Sequence, residues 1–568
     1  MSPLAVHIKH AGKVHNVELN TDLPPGAFKE AIYQVTGVPP ERMKVMIKGG
    51  MLKDDTDWRK VAPKAGQTFM VIGAAGELPK PPEKPVLFLE DMDDSELAQV
   101  LALPVGLENL GNTCYMNATV QAMRAIPELQ TALQAAPSLT GIPSGLKNLY
   151  VQMAHTTESV QPQPFLQALR TAFPQFAELQ RGGGFAMKGM SMPRYAQQDA
   201  EECWVQMTNS LKDVPGLPGP SGSAPTKNFV EQYMTGELRR ELKCRDAPEE
   251  PPSVTFEKVL KIECNITIQT NYLHSGVMDA SALNVEIEKN SPSLGREAIY
   301  DSTSRLSRLP SYLTVHMVRF AWRRDIGKKA KIMRKVKFQT ELDALDWVTD
   351  ELKAKLTPVS RRLKELEKER FERVKIRRRT KNAVASSEKK DKDKDVEMAD
   401  AHATASSSSD PVPDGETAEG KGKEVAGGEL EDEWVYREKE SKELEELIHP
   451  DLKADTGCSV SGLYELVAIV THKGAAADAG HYMGYVKRSV FHPITYARPS
   501  DGAEAEGTSS TGNGKAKETA ALAEGDDDWY KFDDDKVSVF PVEKLATLDG
   551  GGEDSSAYVL LYRTKKLA

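Results

Sequence analysis

Cysteine is scarce: five residues in 568, Cys114, Cys203, Cys244, Cys264 and Cys458. They are odd in number, widely spread and without a Cys-x-x-Cys pair. That excludes a disulfide framework, and the chain reads as a protein of a reducing compartment, cytoplasmic and nuclear. Nowhere do eighteen apolar residues run together, so no membrane partner is expected. The first nine residues lack an apolar core of signal-peptide length. A basic excess is also missing. Lys and Arg number 74 against 84 Asp and Glu, a formal net charge of −10, which argues against nucleic acid as a general partner. Aromatics make up only 7% and hydrophobic residues 39%, enough for a large core beside polar, unpacked segments. The length suits about three or four domains of usual size.

Residues 1–76 alternate in a way that predicts a small α+β unit. Val6 to Ile8 and Val14 to Leu19 form a hairpin around Gly12. Pro25 to Val35 is a helix, Lys44 to Ile47 a strand before Gly49-Gly50, and Thr68 to Ile72 a last strand. Strand, strand, helix, strand, strand is the β-grasp order, and the segment resembles a ubiquitin-like domain. Met46 and Met70 fall near the apolar recognition patch of that fold. The segment continues Gly73-Ala-Ala-Gly-Glu-Leu-Pro79 without a Gly-Gly end, so a docking module is expected and not a conjugated modifier. Four prolines between Pro79 and Pro85 mark a stiff linker over 77–99.

The rest, 100–565, reads as one domain. Helical patterns (161–173, about 197–211) precede strands at 260–268 and 312–320. A charged helix is predicted over 358–380, with Arg377 to Arg379 as solvated surface. Low-complexity insertions at about 380–432 and 497–525 read as disordered. Apolar strands resume at Leu463 and Trp529, so these are loops grown out of a single fold.

The chemistry centres on the run from Gly106 to Gln121. Thr113 is placed to N-cap a helix entered at Cys114, with Met116, Val120 and Met123 at i, i+4, i+7 and Pro127 as its stop. A cysteine in a first helical turn is favoured as thiolate, and the free N–H groups there suit an oxyanion. The plain alternative is a small buried hydrophobe. A base must come from elsewhere. His481 sits between a Gly-rich turn and a new strand, suited to line a cleft. Asp533, after Trp529-x-x-Phe532, could orient it, with Asp534 a second candidate. His472 is the nearest rival, and His316 lies mid-strand, where a core role is the default.

Three separated blocks then resemble one family, the ubiquitin-specific proteases: Gly106-Leu-x-Asn-Leu-Gly-Asn-Thr-Cys-Tyr-Met-Asn117, Gly480-His-Tyr482 and Trp529-x-x-Phe-Asp-Asp534. The stretches Gln197-Gln-Asp-Ala-Glu-Glu202 and Leu309 to Phe320 are similar to two further family boxes. The resemblance implies an α+β, papain-like catalytic domain built as fingers, palm and thumb, behind a β-grasp domain. It implies a cysteine-type deubiquitinase that cuts after the C-terminal glycine of ubiquitin. In that chemistry Cys114 is the nucleophile, His481 the acid and base, and Asp533 the orienting group. Asn109 joins the Cys114 N–H at the oxyanion, while Asp199, Glu202 and Tyr482 meet ubiquitin's tail. Ubiquitin and its conjugates are the implied partners, with the 26S proteasome through the ubiquitin-like domain, where ubiquitin would be recycled. No cofactor and no metal are implied: where many members pair cysteines around zinc, Cys244 and Cys264 stand alone, leaving the fingers to sheet packing. The loops Trp322 to Lys335 and Lys473 to Gly480 correspond to segments that cover the cleft. A non-catalytic ubiquitin-binding scaffold that regulates the proteasome, and a broad papain-type peptidase, are the rival readings.

Overall fold

The computed structural model describes residues 3–47, 50–54, 56–73, 92–187, 190–219, 225–279, 284–324, 327–394, 430–476, 479–492 and 526–567. The chain divides into two compact units, Met1–Asp91 and Met92–Ala568.

In the first unit, β1 (Leu4–His10) and β2 (Lys13–Leu19) pair antiparallel around Ala11 and Gly12, whose φ of 45° and 82° make a left-handed hairpin turn. α1 (Pro25–Thr36) opens on proline, which needs no N–H there, and closes on Gly37 at φ 69°. β3 (Lys44–Ile47), β4 (Gly50–Met51) and β5 (Thr68–Ile72) complete a sheet ordered β2-β1-β5-β3-β4, with β1 and β5 parallel. This is the β-grasp arrangement. The two-residue period sends Val45, Phe69 and Val71 under α1 against Phe28 and Ile32. It leaves Met46, Met51, Met70 and Ile72 exposed on the other face, Met46 opposite both Met51 and Met70.

The second unit starts with α2 (Asp94–Leu101), capped by the Asp93 carboxylate. A helix therefore forms where linker is expected up to residue 99; the proline-rich part lies outside the described residues. α3 (Cys114–Met123), α4 (Pro127–Ala135), α5 (Gly141–Ala154), α6 (Gln163–Ala172) and α7 (Ala200–Ser210) pack into one core. Pro127 does not stop α3, which ends at Arg124; it starts α4 from the first-turn position. Between α6 and α7 runs the hairpin β6 (Leu179–Met187) and β7 (Met190–Tyr195).

Two large sheets follow. β8 (Gly236–Cys244), β9 (Ser253–Val259), β11 (Asn284–Asn290) and β12 (Glu297–Arg308) make the fingers, ordered β11-β12-β8-β9. The alternation at 260–268 is interrupted: β10 (Ile262–Asn265) belongs to the other sheet, and Ile268 is exposed. That ten-stranded palm sheet also holds β13 (Tyr312–Val318), β14 (Phe320–Arg323), β15 (Lys328–Lys331), β16 (Glu341–Asp343), β17 (Leu463–Ala476), β18 (Ala479–Lys487), β19 (Trp529–Asp533), β20 (Lys536–Phe540) and β21 (Ser556–Thr564). Its central order is β10-β13-β21-β17-β18-β19-β20. α3 lies against β18, so the predicted helix and the predicted histidine hairpin meet across one core.

The charged helix is longer than its pattern suggests. α8 spans Asp350–Lys394, and α9 (Glu433–Leu447) pairs with it, so helix enters the expected disordered insertion from its N-terminal end and starts again just after it; 395–429 lie outside the described residues. The whole second insertion, 497–525, lies outside them too. No helix among the described residues is long and apolar enough to cross a membrane.

Candidate active site

All ten residues of α3 are buried, not one stripe of it, because helices pack on one side and β18 on the other. Cys114 begins this helix and is 3% exposed. Thr113 occupies the N-cap position without capping. Its hydroxyl turns back and accepts the Leu110 N–H at 3.0 Å. The loop in front is braced by Asn109, whose Oδ1 accepts the N–H of Gly111 at 3.0 Å and of Thr113 at 3.3 Å. Gly111 and Asn112, at φ 95° and 56°, let the chain fold that tightly.

His481 stands on β18, opposite Lys473 of β17. Its Nε2 is 2.6 Å from Asp533 Oδ1 at the end of neighbouring β19. Cys114 neighbours the same ring, and with Nε2 turned to Asp533 the nitrogen left for the thiol is Nδ1. These bonds raise the imidazole's pKa to about 9, Cys114 contributing more than Asp533 and burial opposing both. Burial works against ionising Asp533, but hydrogen bonds from His481 and from Lys531 (3.1 Å) prevail and hold its carboxyl below the usual range. Thiol, imidazole and carboxylate are thus linked in series, the arrangement a cysteine nucleophile with its base requires.

A family model described as ubiquitin carboxyl-terminal hydrolase matches residues 105–562. The chain belongs to that family. It is 36% identical to ubiquitin carboxyl-terminal hydrolase 6 of Schizosaccharomyces pombe and 33% to hydrolase 7 of Arabidopsis thaliana, in both cases over 100% of either chain. It is 28% identical to hydrolase 14 of Caenorhabditis elegans, over 99% of this chain and 93% of the relative. The protein is accordingly a thiol-dependent deubiquitinase with the α+β fold of the ubiquitin-specific proteases.

Asp534 does not reach for the imidazole. Held at φ 52°, it accepts the Asn109 amide on Oδ2 at 2.8 Å and the Asn117 amide on Oδ1 at 2.9 Å, and its carbonyl accepts the Leu107 N–H at 2.9 Å. Asn109 therefore has one amide hydrogen on Asp534, while the other has no partner among the described residues and is the one an oxyanion could take. Asn117 and Asp534 together form a clamp that pattern alone does not reveal, since neither bond is local in sequence.

The expected tail-binding residues are dispersed in role. Asp199 is the N-cap of α7, accepting the Glu201 N–H at 2.8 Å, and both its oxygens accept the Tyr558 hydroxyl at 2.9 and 2.8 Å. Glu202 accepts weakly from Gln175 at 3.4 Å and is half-exposed. Tyr482 is 1% exposed, its ring set against His472. His472 is buried and held neutral, its pKa lowered to about 4 by burial and then by Lys331. His316 is likewise a buried, neutral ring, against Tyr558.

Cys244 lies on the fingers sheet with Ala298 and Tyr300, whereas Cys264 lies on β10 in the palm. No group of three or more metal-ligating side chains occurs among the described residues. The fingers strands pair along antiparallel ladders, with exposed ion pairs on their surface: Arg245 bridges Glu286 at 2.6 Å and Asp301 at 2.5 Å, and Tyr300 donates to Glu250 at 2.6 Å.

Proposed function

We propose that Cys114, His481 and Asp533 carry the hydrolysis. The Cys114 thiolate attacks the carbonyl of ubiquitin's terminal glycine, and the Cys114 N–H with the Asn109 amide meets the oxyanion. The His481 imidazolium gives its proton to the leaving lysine amine, which departs as the thioester forms. His481, now neutral, takes a proton from water as that water attacks the thioester; the C–S bond then breaks, ubiquitin leaves as its carboxylic acid, and the expelled thiolate with the protonated His481 restores the starting ion pair. Asp533 keeps Nε2 engaged so that Nδ1 faces sulfur throughout. The observation that carries this reading is His481 Nε2 held 2.6 Å from Asp533 Oδ1 on a ring whose raised pKa has neighbouring Cys114 as its first cause. Cys114→Ser tests it: ubiquitin binding should stay near the wild-type level while cleavage of ubiquitin–lysine conjugates stops. Persisting turnover overturns the assignment. Asp199 and Glu202 belong in this reading to the channel for ubiquitin's tail, where carboxylates suit its arginines, and Tyr482, 1% exposed, backs that channel from within the core.

The reading extends to the setting. The enzyme acts on conjugates held at the proteasome and recycles their ubiquitin, in cytoplasm and nucleus, a setting consistent with five free cysteines. Support for docking comes from Met46, Met51, Met70 and Ile72, an exposed apolar patch on a sheet face that the domain's own core does not use. Full-length protein should co-sediment with 26S proteasomes, and Met46→Asp with Met70→Asp should abolish this without altering hydrolysis of a fluorogenic ubiquitin amide. The hairpins β14–β15 and β17–β18, which carry the two predicted cleft loops, are joined through Ala330 and Ala476. Low activity in isolation that rises on adding proteasomes supports a cover; full activity in isolation excludes one.

A further inference from the structure

Two buried cations outside the triad have no carboxylate bonded to them among the described residues. Arg319 gives its guanidinium to the carbonyls of Ala557, Arg334 and Asp549 at 2.7, 2.9 and 2.8 Å. Lys331, at the end of β15 and 7% exposed, gives its ammonium to the carbonyls of His472 and Asp554, both at 3.0 Å. Burying an amine on neutral acceptors costs stability that an aliphatic chain of the same length would not. Burial accordingly lowers the Lys331 pKa to about 8, with the Arg319 charge adding to this and Asp554 and Glu553 opposing it. The ammonium is still the main form at neutral pH.

What this cation obtains is position. The ladder between β17 and β18 runs in register down to Lys473 opposite His481, then shifts before Ala476. Between Lys473 and Ala476 the ladder loses its register, resuming with Ala476 opposite Ala479, so β17 beside this irregularity draws on other anchors. The His472 ring cannot anchor it, for neither ring nitrogen has a hydrogen-bond partner among the described residues. Two other bonds do: Lys331 holds the His472 carbonyl, and the Gly474 N–H donates to the Glu553 carbonyl at 2.7 Å. Both lead to the same loop, 549–554, which Arg319 also grips at Asp549. Directly across from His472 and Lys473 stand Tyr482 and His481. The fit is tight, since a Cβ on Gly480 would come within 2.5 Å of His472 Nε2 and 2.4 Å of the Lys473 carbonyl.

We propose that Lys331 is a positioning residue for the reaction: by tying the His472 carbonyl to the 549–554 loop it fixes the base of the β17–β18 hairpin and so the place of His481 against Cys114. The proposal rests on the triad reading above. It acts through His481 and touches neither thiol nor substrate.

Lys331→Met, Lys331→Gln and Lys331→Arg in the full chain test it through three readouts: kcat and KM on a fluorogenic ubiquitin amide, the pH profile of Cys114 alkylation by iodoacetamide, and the far-UV circular dichroism spectrum. Lys331→Met should lower kcat by about 10- to 100-fold with KM within about twofold, the scale of a sub-ångström to ångström misplacement. Alkylation near neutral pH should slow in parallel, because the imidazole no longer meets the sulfur, and Lys331→Arg should recover much of both. If the Met variant does not fold, Lys331→Gln, which keeps two donor hydrogens, decides on the same readouts with an unchanged spectrum. A folded Met or Gln variant with kcat within about twofold of wild type, or with lost kcat but an unaltered alkylation profile, overturns the proposal. Wild-type Cys114 that is alkylated no faster than free cysteine overturns the triad reading instead, whatever Lys331 does.

Discussion

Asn109 and Asp534, 425 positions apart in the chain, share a hydrogen bond of 2.8 Å. The same carboxylate holds Asn117, inside the helix that Cys114 opens. One side chain therefore spans the loop before the nucleophile, the nucleophile's helix and the strand end carrying Asp533. The sulfur and the group that orients its base are held at a fixed separation by their nearest neighbours, and not by the triad itself.

Asp534→Ala should cut that link. The Asn109 amide loses its acceptor, and Asn117 keeps only its longer bonds to the Leu107 and Glu108 carbonyls at 3.3 and 3.2 Å. The expected loss is in kcat, on the order of 100-fold if the oxyanion donor swings away, with little change in KM. Steady-state kinetics on a fluorogenic ubiquitin amide report it. A variant that loses affinity and keeps kcat would place Asp534 on the substrate surface instead.

Gly106 probes the same junction from the other side. A Cβ there would lie 2.2 Å from the Asp535 carbonyl oxygen, a backbone atom that cannot swing aside as a side chain would. Gly106→Ala should push the Asp533–Asp535 turn off the loop, lowering both kcat and thermal stability, by about 1–3 kcal/mol for an overpacked site. Differential scanning calorimetry and kinetics should move together, whereas Asp534→Ala should move mainly the kinetics.

The pH dependence follows from His481. Its folded pKa, about 9, lies above the ordinary 6.5, so the folded state binds the proton more tightly than the unfolded chain. The resulting stabilisation is fully present below about pH 6.5 and disappears as pH rises through about 9. His481→Ala should therefore cost more stability in urea denaturation at pH 6 than at pH 9.5. Asp533→Asn removes a carboxylate that favours the imidazolium, so the ring should titrate at lower pH, which its carbon-bound proton resonances would show. An unmoved titration would mean Cys114 alone sets it.

What could be foreseen from the sequence is what repeats at short range. The β-grasp strands, the helix at Cys114 and the turn before His481 all follow from periodicity and glycine placement, and Asp533 from its place right after a Trp-x-x-Phe strand, to which the resemblance added its role. The contributions of Asp534, Asn117 and Lys331 depend on bonds between segments 141 to 425 positions apart, which no local period encodes. Thr113 shows the limit of local chemistry, since this capping residue turns its hydroxyl back to the Leu110 N–H while Asn109 Oδ1 takes the Thr113 N–H. Arg377 to Arg379 read as solvated surface, yet Arg377 folds onto α9, because a charge run says nothing about a second helix that begins after residue 430.

That second helix carries the last prediction. Glu433 of α9 is buried and accepts from Arg373 at 3.2 Å, Arg377 at 2.5 Å and Arg437 at 2.9 Å. Glu440 takes Arg370 at 2.7 Å and Arg373 at 2.5 Å. Burial opposes the charge on Glu433, but the arginines outweigh it and its carboxyl stays below the usual range. Four guanidinium groups thus share two carboxylates between α8 and α9. Glu433→Gln leaves three of them around a neutral amide, and breaking a buried pair from one side costs about 3–5 kcal/mol. Urea denaturation should show that loss, while kcat per folded molecule stays at the wild-type value, because no member of the cluster bonds to the triad. Swapping the ion cluster for packed apolar side chains on both helices should restore most of the stability. If Glu433→Gln is neutral, the pairs are solvated in solution and α9 is held to α8 mainly by the apolar cluster of Val359, Leu363, Leu366 and Leu444.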